Sequence, residues 1–143
     1  EYYRSVLSAF ELEDGHFLHK EDKSFFEKMI AVIDSHVQDT DLSVELLSNS
    51  LGYSTRQFYR KLKNITEKTP ADIIREYRLT IVERLLLTTQ LSIEEIMDRT
   101  GFSNRGTFYK VFAQKFGMTP RQYRSYKEMD IKPVSADDLK TNK

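Results

Sequence analysis

One pattern is written twice along this chain, and that repetition restricts its fold more than any other feature. Ser43-Val-Glu-Leu-Leu-Ser-Asn-Ser-Leu-Gly-Tyr-Ser runs into Thr55-Arg-Gln-Phe-Tyr-Arg-Lys-Leu, and Ser92-Ile-Glu-Glu-Ile-Met-Asp-Arg-Thr-Gly-Phe-Ser runs into Asn104-Arg-Gly-Thr-Phe-Tyr-Lys-Val-Phe. Each copy reads as a short amphipathic helix, a glycine turn, and a second helix rich in basic and polar side chains. That order is the arrangement of a helix-turn-helix. In such a unit the second helix enters the major groove of DNA. Two copies in one chain predict two reading helices for two successive stretches of groove.

The copies are not identical in spacing. Ser43, Gly52 and Ser54 recur as Ser92, Gly101 and Ser103 at an offset of 49, whereas Phe58, Tyr59, Thr69 and Pro70 recur as Phe108, Tyr109, Thr119 and Pro120 at an offset of 50. The second unit therefore carries one extra residue between its turn and the core of its reading helix.

Start and stop signals outline the elements. A first helix is expected over about 22–38, with Phe26, Met29, Ile30, Ile33 and Val37 on one apolar face and Asp22 or Ser24 as its cap. Ser43 caps a second helix to about 50, with Val44, Leu47 and Leu51 inward. Gly52 and Gly101 are the turn glycines, because glycine takes a left-handed helix end without strain. Ser54 with Gln57 forms a capping box for the third helix, whose inward side chains are Phe58, Leu62 and Ile65. Thr69-Pro70 opens a long helix to about Leu87 or Thr88, along which Ile73, Ile74, Tyr77, Ile81, Leu85 and Leu86 run. Ser92 with Glu95 caps the fifth helix, and Ser103 is expected to open the sixth, with Phe108, Val111, Phe112 and Phe116 inward. Gly117 ends it, and Thr119-Pro120 with Gln122 opens a last helix on which Tyr123 packs. The expected fold is all-α, with two helix-turn-helix subdomains bridged by a long central helix. The expected division is a linker from an upstream domain over 1–21, a first unit over 22–68, the bridging helix over 69–89, a second unit over 90–127 and a frayed tail over 128–143. A chain beginning at Glu1 rather than Met reads as a piece of something longer.

The formal net charge is +0, which argues against a nucleic-acid partner until the charges are located. Residues 1–50 carry Arg4, Lys20, Lys23 and Lys28 against eleven acids. Residues 51–84 carry eight Lys/Arg against Glu67, Asp72, Glu76 and Glu83. Residues 103–127 carry Arg105, Lys110, Lys115, Arg121, Arg124 and Lys127 and no acid. The basic stretches coincide with the second helix of each unit, and a local basic stripe attracts phosphate whatever the total. The 143 residues include no cysteine, which excludes disulfides and thiolate zinc sites and fits a reducing, cytoplasmic setting. No apolar run is long enough to span a bilayer, so no membrane contact is expected. His16 and His19 lack a third ligand in register, so no metal is expected; no cofactor loop or catalytic constellation is present either.

From Pro70 to Leu87 the bridging helix is about 27 Å long at 1.5 Å per residue. Successive major-groove faces lie about 34 Å apart. A stiff spacer of that length, with the width of the modules, can hold both reading helices on one side of a duplex. Arg56 and Arg105 stand near the starts of the two reading helices, where each guanidinium either forks to a guanine edge or meets phosphate. Gln57 and Asn104 either read adenine or cap their helices, capping being favoured for Gln57. Thr107 suits a thymine methyl, and Gly106 leaves a blank that permits close approach. Tyr59 and Tyr109 follow the core Phe, with their hydroxyls free to face phosphate.

With these residues laid out, the chain resembles the DNA-binding domain of AraC/XylS-type transcription regulators over about residues 24–126. The resemblance is strongest along Gly101-Phe-Ser-Asn-Arg-Gly-Thr-Phe-Tyr-Lys-Val-Phe-Ala-Gln-Lys-Phe-Gly-Met-Thr-Pro-Arg-Gln-Tyr-Arg. It implies seven helices, a bacterial activator or repressor, and recognition helices in adjacent major grooves. It also implies reading positions at Thr55, Arg56, Gln57, Arg60 and Lys61, and at Asn104, Arg105, Thr107, Lys110 and Gln114. Ser43, Tyr59, Lys63, Ser92, Tyr109 and Arg121 are the expected phosphate contacts. Met97 stands where the family has a small residue, and Ala113 where a basic one is common. The first unit is most similar to a sub-group fused behind response-regulator receivers, which implies an upstream sensor or receiver domain and RNA polymerase as a further partner. The competing expectation is a helical protein-interaction module docking on polymerase or a signalling partner. Duplex binding with and without heparin competition separates the two.

Overall fold

The computed structural model describes residues 20–131. The linker and tail expectations and the His16/His19 pair fall wholly or largely outside that range. The described residues form seven helices: α1 (Lys20–Ser35), α2 (Val44–Ser50), α3 (Thr55–Ile65), α4 (Pro70–Thr88), α5 (Ile93–Arg99), α6 (Arg105–Phe116) and α7 (Pro120–Ile131).

The turns follow from local chemistry. Gly52 sits at φ +80° and Gly101 at φ +76°, each directly after the C-cap residue of a short helix, Leu51 and Thr100. The amide after each glycine reaches back to close the turn: Tyr53 N–H donates to the Ser48 carbonyl at 2.9 Å, and Phe102 N–H to the Met97 carbonyl at 3.1 Å. These six-residue closures satisfy carbonyls that a helix end otherwise leaves bare. Ser54–Gln57, Thr69–Asp72, Ser92–Glu95 and Thr119–Gln122 each form the reciprocal box expected or implied by their spacing. The cap at Thr69 also holds the Asp72 carboxyl below its ordinary pKa, mainly through the Thr69 backbone N–H.

Three expectations are corrected. Among the described residues the first helix covers Lys20–Ser35, so Asp22 and Ser24 both lie within it and neither is the cap. Val37 lies beyond the helix, half-buried against the first core. Ser103 does not open α6: Asn104 does, its side-chain oxygen accepting from Thr107 N–H at 2.8 Å. Ser54 thus corresponds to Asn104 at the 50-residue offset, and the extra residue lies between glycine and cap.

The side chains sort into two apolar cores. The first holds Phe25, Phe26, Met29, Ile30, Ile33, Leu47, Phe58, Leu62, Ile65, Ile73, Ile74 and Tyr77. The second holds Leu79, Val82, Leu86, Ile96, Met97, Phe108, Phe112 and Tyr123. Helix α4 feeds both, its first half through Ile73, Ile74 and Tyr77 and its second through Leu79, Val82 and Leu86. One helical stripe fitted to the whole of α4 passes over Leu79 and Val82, which is why the sequence reading omits them; Ile81 and Leu85 are only half-buried.

Two polar bonds tie α4 to its neighbours. Tyr77 donates its hydroxyl to Asp34 of α1 at 2.5 Å, and Tyr123 of α7 donates to Glu83. Burial and then the Glu83 carboxylate push the Tyr123 phenol well above its usual pKa. At the far end of α4 the Arg124 guanidinium donates to the carbonyls of Leu86, Thr89 and Leu91 at 3.0, 3.3 and 2.8 Å. Arg124 belongs to the acid-free basic stretch in sequence, but in space it terminates a helix.

Candidate nucleic-acid interface

The core aromatic residues orient both second helices. Phe58 and Phe108 are fully buried, as are Leu62 and Phe112 four residues on. Anchoring at that spacing turns the opposite face outward. On α3 that face carries Arg56, Gln57, Tyr59, Arg60, Lys63 and Asn64, all exposed. On α6 it carries Arg105, Gly106, Thr107, Lys110, Ala113 and Gln114, also exposed. Each helix therefore presents cations and amides outward and buries apolar side chains on the other side.

The candidate residues differ in how far the protein already engages them. Arg56, Arg60, Lys63, Lys110 and Arg121 are exposed and form no ion pair among the described residues. Thr55 is half-buried as the first residue of α3. Gln57 accepts from Ser54 N–H at 3.0 Å, so its carbonyl is engaged in capping. The Asn104 carbonyl is engaged likewise. The Ser43 and Ser92 hydroxyls accept from Leu46 and Glu95 N–H, both at 3.1 Å, which leaves each hydroxyl hydrogen available as a donor. Lys61 is half-buried, its ammonium 4.0 Å from Asp22 and 5.2 Å from the centre of the Phe25 ring. It leans back onto α1, away from the other α3 cations. Tyr59 is exposed, whereas Tyr109 is half-buried.

Arg105 has partners within the protein, on the solvent-exposed side of α5 and α6. Its guanidinium donates to Glu94 of α5 at 2.5 Å and to the Tyr109 hydroxyl at 3.3 Å, and lies 5.3 Å from the centre of the Tyr109 ring. The Glu94 bond foremost, and then Tyr109, raise the guanidinium pKa further above its already high value. Glu94 has no counterpart in the sequence argument, although it lies eleven residues before Arg105. Nothing at that separation marks a pair; only the angle between α5 and α6 brings it about. Met97, the large residue at an expected small position, is buried in the second core and lines a cleft with Thr40, Glu94, Asp98, Phe102, Ser103 and Arg105.

Comparison with known proteins bears on this arrangement. A protein-family profile described as a helix-turn-helix domain matches residues 47–126. The regulatory protein SoxS of Escherichia coli (strain K12) is 32% identical over 102 residues, which are 71% of this chain and 94% of SoxS. Histidine kinase P4 of Formosa agariphila is 31% identical over 104 residues, which are 73% of this chain but only 8% of that protein. Among solved structures, a transcriptional regulator of the AraC-type DNA-binding-domain proteins from Chromobacterium violaceum superposes with a TM-score of 0.68 at 25% identity, covering 75% of this chain and 95% of that one. The DNA-binding domain of the global transcriptional factor AdpA, solved in complex with a target DNA, has a TM-score of 0.67 at 25% identity, covering 73% and 93%.

Proposed function

Because the chain belongs to the AraC-type helix-turn-helix family of transcription-regulator DNA-binding domains, we propose that it reads one duplex with α3 and α6 in successive major grooves. The observation that carries this reading is the matched pair of exposed basic faces, each fixed by a buried Phe at the same place in its repeat. In this reading Arg56, Gln57, Arg60, Asn104, Arg105, Thr107, Lys110 and Gln114 face base edges, with Thr55 at the start of α3. Ser43, Tyr59, Lys63, Ser92, Tyr109 and Arg121 meet the phosphates on either side. Lys61 and Arg124 are directed elsewhere by Asp22 and by the end of α4, so we place both outside the interface.

The match to a short segment of a histidine kinase supports an output domain joined to a signalling protein, with a receiver or sensor upstream. No described helix is long and apolar enough to cross a membrane. We assign the work to the cytoplasm, where bacterial DNA lies, and RNA polymerase is the natural second partner for an activator.

Phosphate contacts release counterions, so binding weakens as salt rises. For about three or more net contacts, affinity for a duplex site is expected to fall about tenfold or more between 50 and 200 mM salt. A fluorescence-anisotropy titration at both concentrations, with heparin as competitor, measures it. Flat affinity across that range would favour a protein-interaction module instead.

A further inference from the structure

The extensive helix contacts lie within one unit or against α4: α1 with α2, α2 with α3, α6 with α7, and α4 with α1, α5 and α7. The two units also approach each other where the turn after α1 meets the turn after α5, at Val37 and Gly101. Arg78, halfway along α4, lies at that meeting point. Its guanidinium donates to the Asp39 carbonyl at 2.6 Å. Its Nε is buried without a hydrogen-bond partner. Gly101 packs directly on this cluster: a Cβ there would lie 2.5 Å from the Val37 carbonyl oxygen and 2.9 Å from the Arg78 Cζ. The equivalent glycine of the first unit, Gly52, has the same left-handed backbone and nothing within 4 Å of its Cβ position. The two turn glycines thus share one conformational demand, and only Gly101 carries a packing demand between units.

A partly buried guanidinium with an unsatisfied nitrogen is costly, and an apolar side chain would fill the space without that desolvation. The guanidinium adds direction. Its planar fork bonds to one carbonyl at a set angle, whereas apolar contacts allow sliding. Resting on the two-groove reading above, we propose that Arg78 and Gly101 form a joint that sets the rotational phase between the two recognition helices. They are positioning residues for site spacing and touch no DNA. The absence of any Cβ at Gly101 lets the second turn seat against Val37, and Arg78 locks the first-unit turn over it.

The chain has no cysteine, so spin labels can be placed cleanly. Glu45 of α2 and Ser125 of α7 are exposed and are not among the proposed DNA contacts. With both replaced by labelled cysteine, pulsed electron resonance on the DNA-free protein is expected to give one narrow distance distribution, which Arg78→Ala broadens. On DNA, Arg78→Ala should reduce about tenfold the preference for native spacing over a half-turn insertion, while binding to a single half-site changes less than about twofold. Gly101→Ala should broaden the distances, and Gly52→Ala should not. Should Arg78→Ala fail to fold, Arg78→Met retains the stem and removes the fork, and the same outcomes apply. An unchanged distance distribution with unchanged spacing preference overturns the joint. The distances are read without DNA, so failure of the wild-type chain to bind any duplex would count against the DNA reading alone.

Discussion

Inserting five base pairs between the two half-sites is expected to lower affinity on the order of a thousandfold, toward the non-specific level. The reason is geometric. Helix α4 contributes side chains to both cores, so the units cannot separate without opening one of them. Its 19 residues span about 28 Å, and a helix does not stretch. Half a turn, about five base pairs, carries one major groove to the far side of the duplex, where only one unit can stay engaged. A full-turn insertion restores the face but not the distance, so it should not recover the affinity. Titrations on the native, half-turn and full-turn duplexes measure this directly. Near-equal binding to all three would mean that the units act as a flexible tandem.

The second large effect concerns stability. Phe58 and Phe108 are fully buried and occupy matching places in the two cores. Phe108 also packs against Phe102 and Phe112 at ring-centre distances of 5.0 and 6.1 Å, and Phe58 against Phe25 at 5.8 Å. Phe58→Ala and Phe108→Ala should each cost about 3–5 kcal/mol, from lost burial plus the cavity left behind. A domain of this size is stable by only about 5–15 kcal/mol, so either change is expected to bring the whole chain close to unfolding. Denaturant titration followed by helical circular dichroism provides the measurement. A loss below about 1 kcal/mol at either position would show that its ring is not part of a packed core.

These expectations draw on features of unequal legibility. The caps, turn glycines and Phe anchors are readable in the sequence because each is decided within four residues. Ser54 with Gln57, and Gly52 before Tyr53, need no knowledge of the rest of the chain. Asn104 displaced Ser103 as a cap because two good capping residues stand side by side, and only the 50-residue offset of the downstream Phe-Tyr pair distinguishes them. Leu79 and Val82 were hidden because α4 serves two cores whose directions differ, which defeats a single helical stripe. The charge pattern does not show which cations the fold itself engages, as Arg124 and Lys61 illustrate. Both are cations within basic stretches, yet one ends α4 and the other lies over Phe25. The Arg105–Glu94 pair and the Arg78–Gly101 joint depend on how helices and turns are set against each other. No local pattern encodes such contacts.

Selection of bound duplexes from a pool randomised across the whole site, carried out with the wild-type chain, Arg56→Ala and Arg105→Ala, tests the two-groove assignment most directly. If α3 and α6 read successive grooves, each variant should lose base preference over a short window and keep it elsewhere. The two windows should lie about one helical turn, 10–10.5 base pairs, apart. Each loss should correspond to about 1–3 kcal/mol of discrimination at the affected position. Loss of preference in the same window for both variants, or full preference retained by both, would contradict the assignment of these two helices to successive major grooves.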